Sequence, residues 1–250
     1  MAVPDLPLTL LHLPSMCGRY ALYGPFLSDD PGWVEGWVDR ISNPLADVRR
    51  YNIAPSQSLP VVVLDAGQPR VRSMRWGLIP NWAKDPKIAY STINARAESV
   101  REKPSYRQAW RAGQRCLVPV TGWYEWREIG PKTKQPYYFH ASDARNPMMF
   151  AGLWSQWQDP TSGPVYSYTI ITTAAVDIVR EVHDRQPRVL STHDWQPWLA
   201  ADARAAEAWL TPESIPVTYY KVGSAVGNVR NDEARLITPL PEIHVNEDEV

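Results

Sequence analysis

Met16-Cys17-Gly18-Arg19-Tyr20 places a cysteine directly after an internal methionine. A chain that starts at Cys17 carries a thiol and a free α-amine on neighbouring carbons, a pair no internal residue offers. An α-amine has a pKa of about 7.7–8, against about 10.4 for lysine, so roughly a tenth of it is neutral at pH 7. Neutral amines attack carbonyls to form imines. The adjacent thiol can then close onto the imine carbon, giving a five-membered thiazolidine that outlasts an open Schiff base. A 1,2-aminothiol is therefore suited to aldehyde capture. The plainer alternative is a small buried hydrophobe.

Four more segments are polar where a fold prefers apolar residues. Asn94-Ala95-Arg96-Ala97-Glu98 is one. In Gly122-Trp123-Tyr124-Glu125-Trp126 a carboxylate sits among large aromatics. Either Glu125 faces solvent while Trp123 or Tyr124 packs inward, or it is desolvated, its pKa rises, and it passes protons near neutrality. His183-Asp184-Arg185-Gln186-Pro187 offers a histidine that is either a proton shuttle or a satisfied structural group. Ala225 to Asn231 is a compact polar turn, on the surface or closing over a site.

These residues need strands to hold them. Leu59 to Leu64 reads as a buried strand ending at an Ala66-Gly67 turn, and Met74 to Leu78 as its neighbour. Cys116–Val120, Gly122–Glu128, Tyr137–Ala141, Met148–Trp154 and Tyr166–Thr173 extend a mainly antiparallel set. Helices are expected over 34–41, over Glu98–Gly113 with a glycine cap, over Asp177–Val182, over Asp194–Leu199 and over Ala201–Leu210. Pro80 to Tyr90 reads as an irregular loop carrying Trp82, Lys84 and Lys87. The fold class is α+β, a curved or barrel-like, mainly antiparallel sheet with interspersed helices in a single domain. Residues 1–16 are read as a leader or an upstream extension absent from the active form, 17–240 as the catalytic domain, and 241–250 as a loose acidic tail.

Composition narrows the partners. Of 250 residues 44% are hydrophobic, enough for a core, and the net charge is −1. Yet Arg70 to Lys134 holds 14 Lys/Arg against 5 Asp/Glu, which suits an anionic ligand met on one face or a solvated face with none. Two cysteines make no disulfide framework, and no Cys/His spacing points to zinc, so no metal and no cofactor are expected. That usage fits a reducing cytoplasm. No apolar run is long enough to span a membrane. Twelve Trp and twelve Tyr against three Phe favour grooves and base stacking, or a β-rich aromatic core.

In one order along the chain, Met16–Tyr20, Tyr51-Asn52-Ile53-Ala54-Pro55, Trp76-Gly77-Leu78-Ile79-Pro80, Asn94–Glu98, Arg115-Cys116-Leu117-Val118-Pro119, Gly122–Trp126, Thr172-Thr173-Ala174-Ala175 and His183-Asp184-Arg185 resemble the SOS response-associated peptidase family. The resemblance runs from Cys17 to about Leu240. It implies a sensor of abasic sites in single-stranded DNA that exposes its cysteine as residue one, joins the ring-opened sugar in a thiazolidine crosslink, and has associated lyase and self-processing activity. Cys17 would then be the nucleophile and Asn94 would orient its amine. Glu125 would shuttle protons, and His183 would assist ring opening. Arg19 and Arg96 would hold phosphates, Trp82 would stack on a base, Asn52 and Pro55 would shape the loop, and Thr173 would support the site. Some members carry a second aromatic beside Trp82, where this chain has Ala83. A cytoplasmic monomer, nucleoid-associated when bound to DNA, is expected, with single-stranded DNA containing abasic sites as its partner.

Two other readings use the same residues. One is a thiol peptidase acting in trans, with Cys17 as nucleophile and His183 as base. The other is a non-catalytic single-stranded DNA-binding module built from the aromatic and basic side chains.

Overall fold

Three long hairpins lay down most of the sheet. β3 (Ser58–Asp65) and β4 (Gln68–Trp76) turn at Ala66-Gly67, whose φ values of 50° and 76° are those of a tight I′ turn matched to strand twist. β7 (Gly122–Gly130) returns as β8 (Thr133–Ala141), and β9 (Met148–Asp159) as β10 (Gly163–Ala174). The shorter strands are β1 (Arg19–Tyr23), β2 (Arg49–Ile53), β5 (Asn94–Arg96), β6 (Arg115–Val120), β11 (Arg185–Pro187), β12 (Val189–Leu190) and β13 (Val217–Lys221). These come from a computed structural model that describes residues 17–24, 45, 47–143 and 148–241. The leader, the helix expected over 34–41 and all of the tail beyond residue 241 lie outside the described residues.

β10, β4, β3, β6 and β9 pair in that order, and β9 pairs back with β10. The five strands therefore close into a ring, which removes the exposed edges an open sheet would carry. β10 runs parallel to β4 and to β5, while the other pairings are antiparallel. A second sheet, in the order β13-β8-β7-β1-β2, packs on the barrel. Tyr20 of β1 joins the two. Its ring meets Trp76 edge-on at 5.1 Å and Phe150 at 6.5 Å, and its hydroxyl lies 2.7 Å from that of Tyr168. Gly152 is required where strands crowd, since a Cβ there would sit 2.7 Å from Cys116 Sγ and 2.8 Å from the Thr169 carbonyl.

The α+β reading with a barrel-like sheet is the observed fold, and the single-domain expectation agrees with solved structures of the same fold. Three helices are shorter than expected, that over Asp177–Val182 by two residues. Of Glu98–Gly113 only α1 (Arg107–Arg111) is α-helical. Pro104, which has no N–H and disfavours helical geometry before it, keeps the preceding stretch in turns. Gly113 does end the helix, at φ 67°. Of Ala201–Leu210 only Ala205–Leu210 winds, as 3-10 turns. The Asp202 carboxylate accepts the N–H groups of Arg204 and Ala205 and starts the chain afresh there. α2 (Asp177–Arg180) and α3 (Trp195–Ala200) complete the α-helical set among the described residues beyond residue 100.

Candidate active site

β1 and β7 run antiparallel with Arg19 opposite Tyr124 and Tyr20 opposite Trp123. Carried past the start of β1, that register brings the Cys17-Gly18 segment alongside Glu125. The main-chain nitrogen of Cys17 donates to Glu125 Oε1 at 2.8 Å. Both residues are 1% exposed. Glu125 thus takes the desolvated alternative: Trp123, Tyr124 and Glu125 are all buried. Burial pushes its carboxyl well above the usual carboxylate range, the Cys17 N–H opposes that rise, and the charge of Asp184 adds to it. The Cys17 thiol is pushed up for the same first reason, burial, and then by the Glu125 charge. Cys17 stands at φ 42°, a conformation strained for a residue with a Cβ.

The barrel supplies the other residues. Asn94 and Arg96 lie on β5 opposite Ile170 and Thr172 of β10, with Ala95 buried between them. Strand alternation therefore turns Asn94 and Arg96 to the same side. The Asn94 carbonyl accepts the Tyr106 hydroxyl at 2.9 Å. Thr173 pairs with Gln186 across β10 and β11. Its hydroxyl oxygen is buried and hydrogen-bonds no other group among the described residues. His183 sits between α2 and β11. Its Nδ1 accepts the Arg185 main-chain N–H at 3.0 Å, and Asp184 Oδ1 is also 3.0 Å from that atom. A lone pair serves the first contact and a proton the second. Burial lowers the His183 pKa, and the main-chain donor belongs to a residue anchored by its side chain whereas the Asp184 side chain is 84% exposed to water. The ring is thus neutral, with its proton on Nε2.

Asn52, Arg19 and Pro55 lie at the rim. Pro55 and Ser56 (φ 75°) form the two centre positions of a turn closed by Gln57 N–H on the Ala54 carbonyl. Asn52, fully buried, donates through Nδ2 to the carbonyls of Val226, Asn228 and Asn231 at 3.1, 3.0 and 2.8 Å. The Ala225–Asn231 turn is therefore strapped over β2. Arg19 binds the same strap, donating to the Val226 and Gly227 carbonyls at 2.7 and 3.2 Å and to Asn52 Oδ1 at 3.0 Å. Arg96 is exposed, as are Lys84 and Lys87. Trp82 is 52% exposed, with its indole N–H on the Pro104 carbonyl at 3.3 Å. Ala83, by contrast, is buried and its carbonyl takes the Trp157 indole N–H at 2.7 Å.

Sequence reading missed two contributors. Asp232 accepts the N–H groups of Tyr51 and Asn52 and pairs with Arg50, closing the strap from its far end. Glu98 grips Arg185 with both oxygens, at 2.5 and 2.9 Å. The alternation Asn94, Arg96, Glu98 was a signal for the second; no local pattern marks the first. Among the described residues no group of three His, Cys, Asp or Glu side chains could hold a metal ion, and no helix is long and apolar enough to cross a membrane.

Comparison with known proteins places this site in a family. The model of the SOS response associated peptidase (SRAP) family matches residues 16–229. The Bacillus subtilis protein named abasic site processing protein YoqW is 37% identical over 227 residues, covering 89% of this chain and 99% of that protein. The Gallus gallus abasic site processing protein HMCES is 30% identical, covering 76% of this chain and 66% of its own length. A crystal structure of a protein from Bacteroides thetaiotaomicron superposes with a TM-score of 0.70 at 25% identity, over 84% of this chain and 93% of that one. A phage-related protein from Bordetella bronchiseptica gives 0.60 at 28%, over 82% and 94%. With the motifs, the barrel and the match over most of its length in agreement, the chain belongs to the SRAP family.

Proposed function

We propose that this protein processes abasic sites in single-stranded DNA by forming a thiazolidine crosslink through Cys17 once residues 1–16 are gone. The observation that carries the reading is the 2.8 Å contact between the Cys17 nitrogen and the buried Glu125 carboxylate. That nitrogen is an amide while Met16 is attached; after cleavage the same atom is the α-amine. The names of relatives similar to this chain, abasic site processing proteins, support the substrate.

The chemistry follows the atoms. The neutral amine adds to C1′ of the ring-opened sugar and gives a carbinolamine. Protonated Glu125 gives its proton to the departing hydroxyl, which leaves as water and yields the iminium. The Cys17 sulfur then adds to the iminium carbon as its proton passes to the Glu125 carboxylate, closing the ring and restoring the acid. A carboxyl whose pKa burial has raised is suited to that double role. Asn94 orients the amine, His183 assists ring opening through Nε2–H, and Thr173 offers its buried hydroxyl. The open iminium is also the species from which strand cleavage by lyase chemistry proceeds. Self-removal of the leader would use the same carboxyl at the strained Cys17 junction.

Arg96, Lys84 and Lys87 supply phosphate attraction, and Trp82 a face for stacking. A peptidase acting in trans fits less well, because burial and Glu125 raise the Cys17 pKa where a thiolate nucleophile needs it lowered.

The test is a denaturing gel of protein starting at Cys17, mixed with a single strand bearing one abasic site. An SDS-stable adduct is expected, lost in Cys17→Ser, which keeps the amine but cannot close the durable ring. Trapping by protein whose measured mass includes residues 1–16 would overturn the reading.

A further inference from the structure

We propose that Glu98 is a positioning residue for His183, acting through Arg185. The inference rests on the reading of His183 just given and assigns the groups that hold its imidazole. Glu98 leaves β5 two residues after Arg96 and faces the start of β11. Its two carboxylate oxygens take Nη1 and Nη2 of Arg185 at 2.5 and 2.9 Å, a fork-on-fork geometry that fixes direction as well as distance. Nη2 also donates to the Thr172 carbonyl at 2.7 Å. The guanidinium is thereby tied to β5 on one side and β10 on the other.

The consequence lies in the backbone of Arg185. Its main-chain N–H is the donor that occupies His183 Nδ1 at 3.0 Å. With Nδ1 kept as an acceptor, the single proton of the neutral ring stays on Nε2. Arg185 is 10% exposed at its side chain and Glu98 56%. Removing Glu98 therefore leaves a nearly buried cation without its counter-charge, and Arg185 must move toward water. The donor moves with it. Nδ1 is then open to the proton that Asp184, 3.0 Å away, favours. The charges facing His183 are Asp184 beside it, Arg185 on β11 and Lys134 on β8. Burial does most to keep the ring neutral and the two cations add to it, so loss of the Arg185 anchor weakens one contribution. The burial of Ala95 and Ala97 leaves the fold of β5 to the core, so Glu98 is not needed to form the strand.

Two measurements decide this. The first is nitrogen-15 NMR of histidine-labelled protein, with His183 assigned by His183→Gln. The wild type is expected to show an unprotonated Nδ1 at pH 7. Glu98→Ala and Glu98→Gln are expected to shift proton population onto Nδ1 and to raise the ring's titration midpoint, and Glu98→Asp to restore the wild-type pattern. The second is the pH–rate profile of adduct formation, where Glu98→Ala should be slowed about tenfold, within the usual reach of acid–base positioning, with its acidic limb moved to higher pH. An unaltered nitrogen spectrum in a folded Glu98→Ala protein overturns the proposal, as does a slower rate with an unmoved profile. Should the wild type form no adduct at all, the functional reading fails, and the spectrum still decides whether Glu98 holds His183.

Discussion

Cys17 and Glu125 meet where the antiparallel pair of β1 and β7 begins, the nitrogen of one donating to the carboxylate of the other at 2.8 Å in a place neither shares with water. The contact joins the atom that would attack to the group that would move its protons. It also makes Glu125 an expensive residue, since a buried carboxylate with one main-chain donor is stabilised chiefly by staying protonated.

Glu125→Gln keeps the acceptor for Cys17 and removes the titration. Adduct formation should fall roughly a hundredfold or more if Glu125 is the acid–base group. Stability should move the other way. The folded pKa is raised above the unfolded value of about 4.3, so the wild type is favoured at low pH and loses that advantage as pH rises through the folded value. In protein retaining Met16, where the partner nitrogen is uncharged, the melting temperature of Glu125→Gln minus that of wild type should grow from pH 5 to pH 8. A difference that stays flat across that range means Glu125 is not desolvated.

The β3–β4 hairpin was legible because it is local: two apolar runs flank Ala66-Gly67, and Gly67 suits positive φ. The strands of the other two hairpins were legible only in part, since their turn-side ends are polar and exposed, and Lys132 at φ 60° is no turn signal. The desolvation of Glu125 was one of two readings of its strand, and the burial of Glu125 together with Trp123 and Tyr124 decided between them. A barrel-like sheet was legible, but the pairing that closes it was not. Closure depends on the parallel pairing of β10 with β4, and a long-range register leaves no mark in either strand's own pattern. The partners of Arg19 were hidden for the same reason, since the Val226 carbonyl lies 207 residues along the chain. Glu98 lay within a noticed motif, but its partner could be named only once β11 was set beside β10.

Asn52 concentrates three strap contacts in one buried amide. Asn52→Ala takes the amide donor from the Asn231 carbonyl and leaves those of Val226 and Asn228 with only Arg19 and the Asn231 N–H; it should cost about 3 kcal/mol, a fall of roughly 6–12 °C in melting temperature for a chain of this size. Limited proteolysis should cut within 225–232 earlier than in wild type. A melting temperature within about a degree of wild type would show that water replaces the amide without loss.

Arg19 and Arg96 separate by what they touch. Arg19 is committed to the strap, so Arg19→Ala should lower the melting temperature as well as weaken binding. Arg96 is exposed, so Arg96→Ala should leave stability alone and weaken intact and abasic strands alike. Its salt dependence should flatten by about 0.7 in the log–log slope, the share of one phosphate contact on a single strand. Anisotropy titrations over a salt series check this. An unchanged slope would remove Arg96 from the phosphate track.

Trp82 should behave as a ligand-facing ring and not as part of the core. It is 52% exposed, whereas Trp76, six residues earlier, is fully buried. Trp82→Ala should therefore change stability by no more than about 0.5 kcal/mol, as exposed substitutions do. Loss of one stacked base should cost about 1–3 kcal/mol in single-strand affinity. Trp82→Phe should recover most of that affinity, because a face is what stacking needs and the indole N–H is occupied by Pro104. Ala83 offers no second ring, its side chain being packed with Ile79 and Ala89. The binding loss in Trp82→Ala should thus appear in full, with no neighbouring aromatic to mask it, and equal affinities for Trp82→Ala and wild type would place the strand elsewhere.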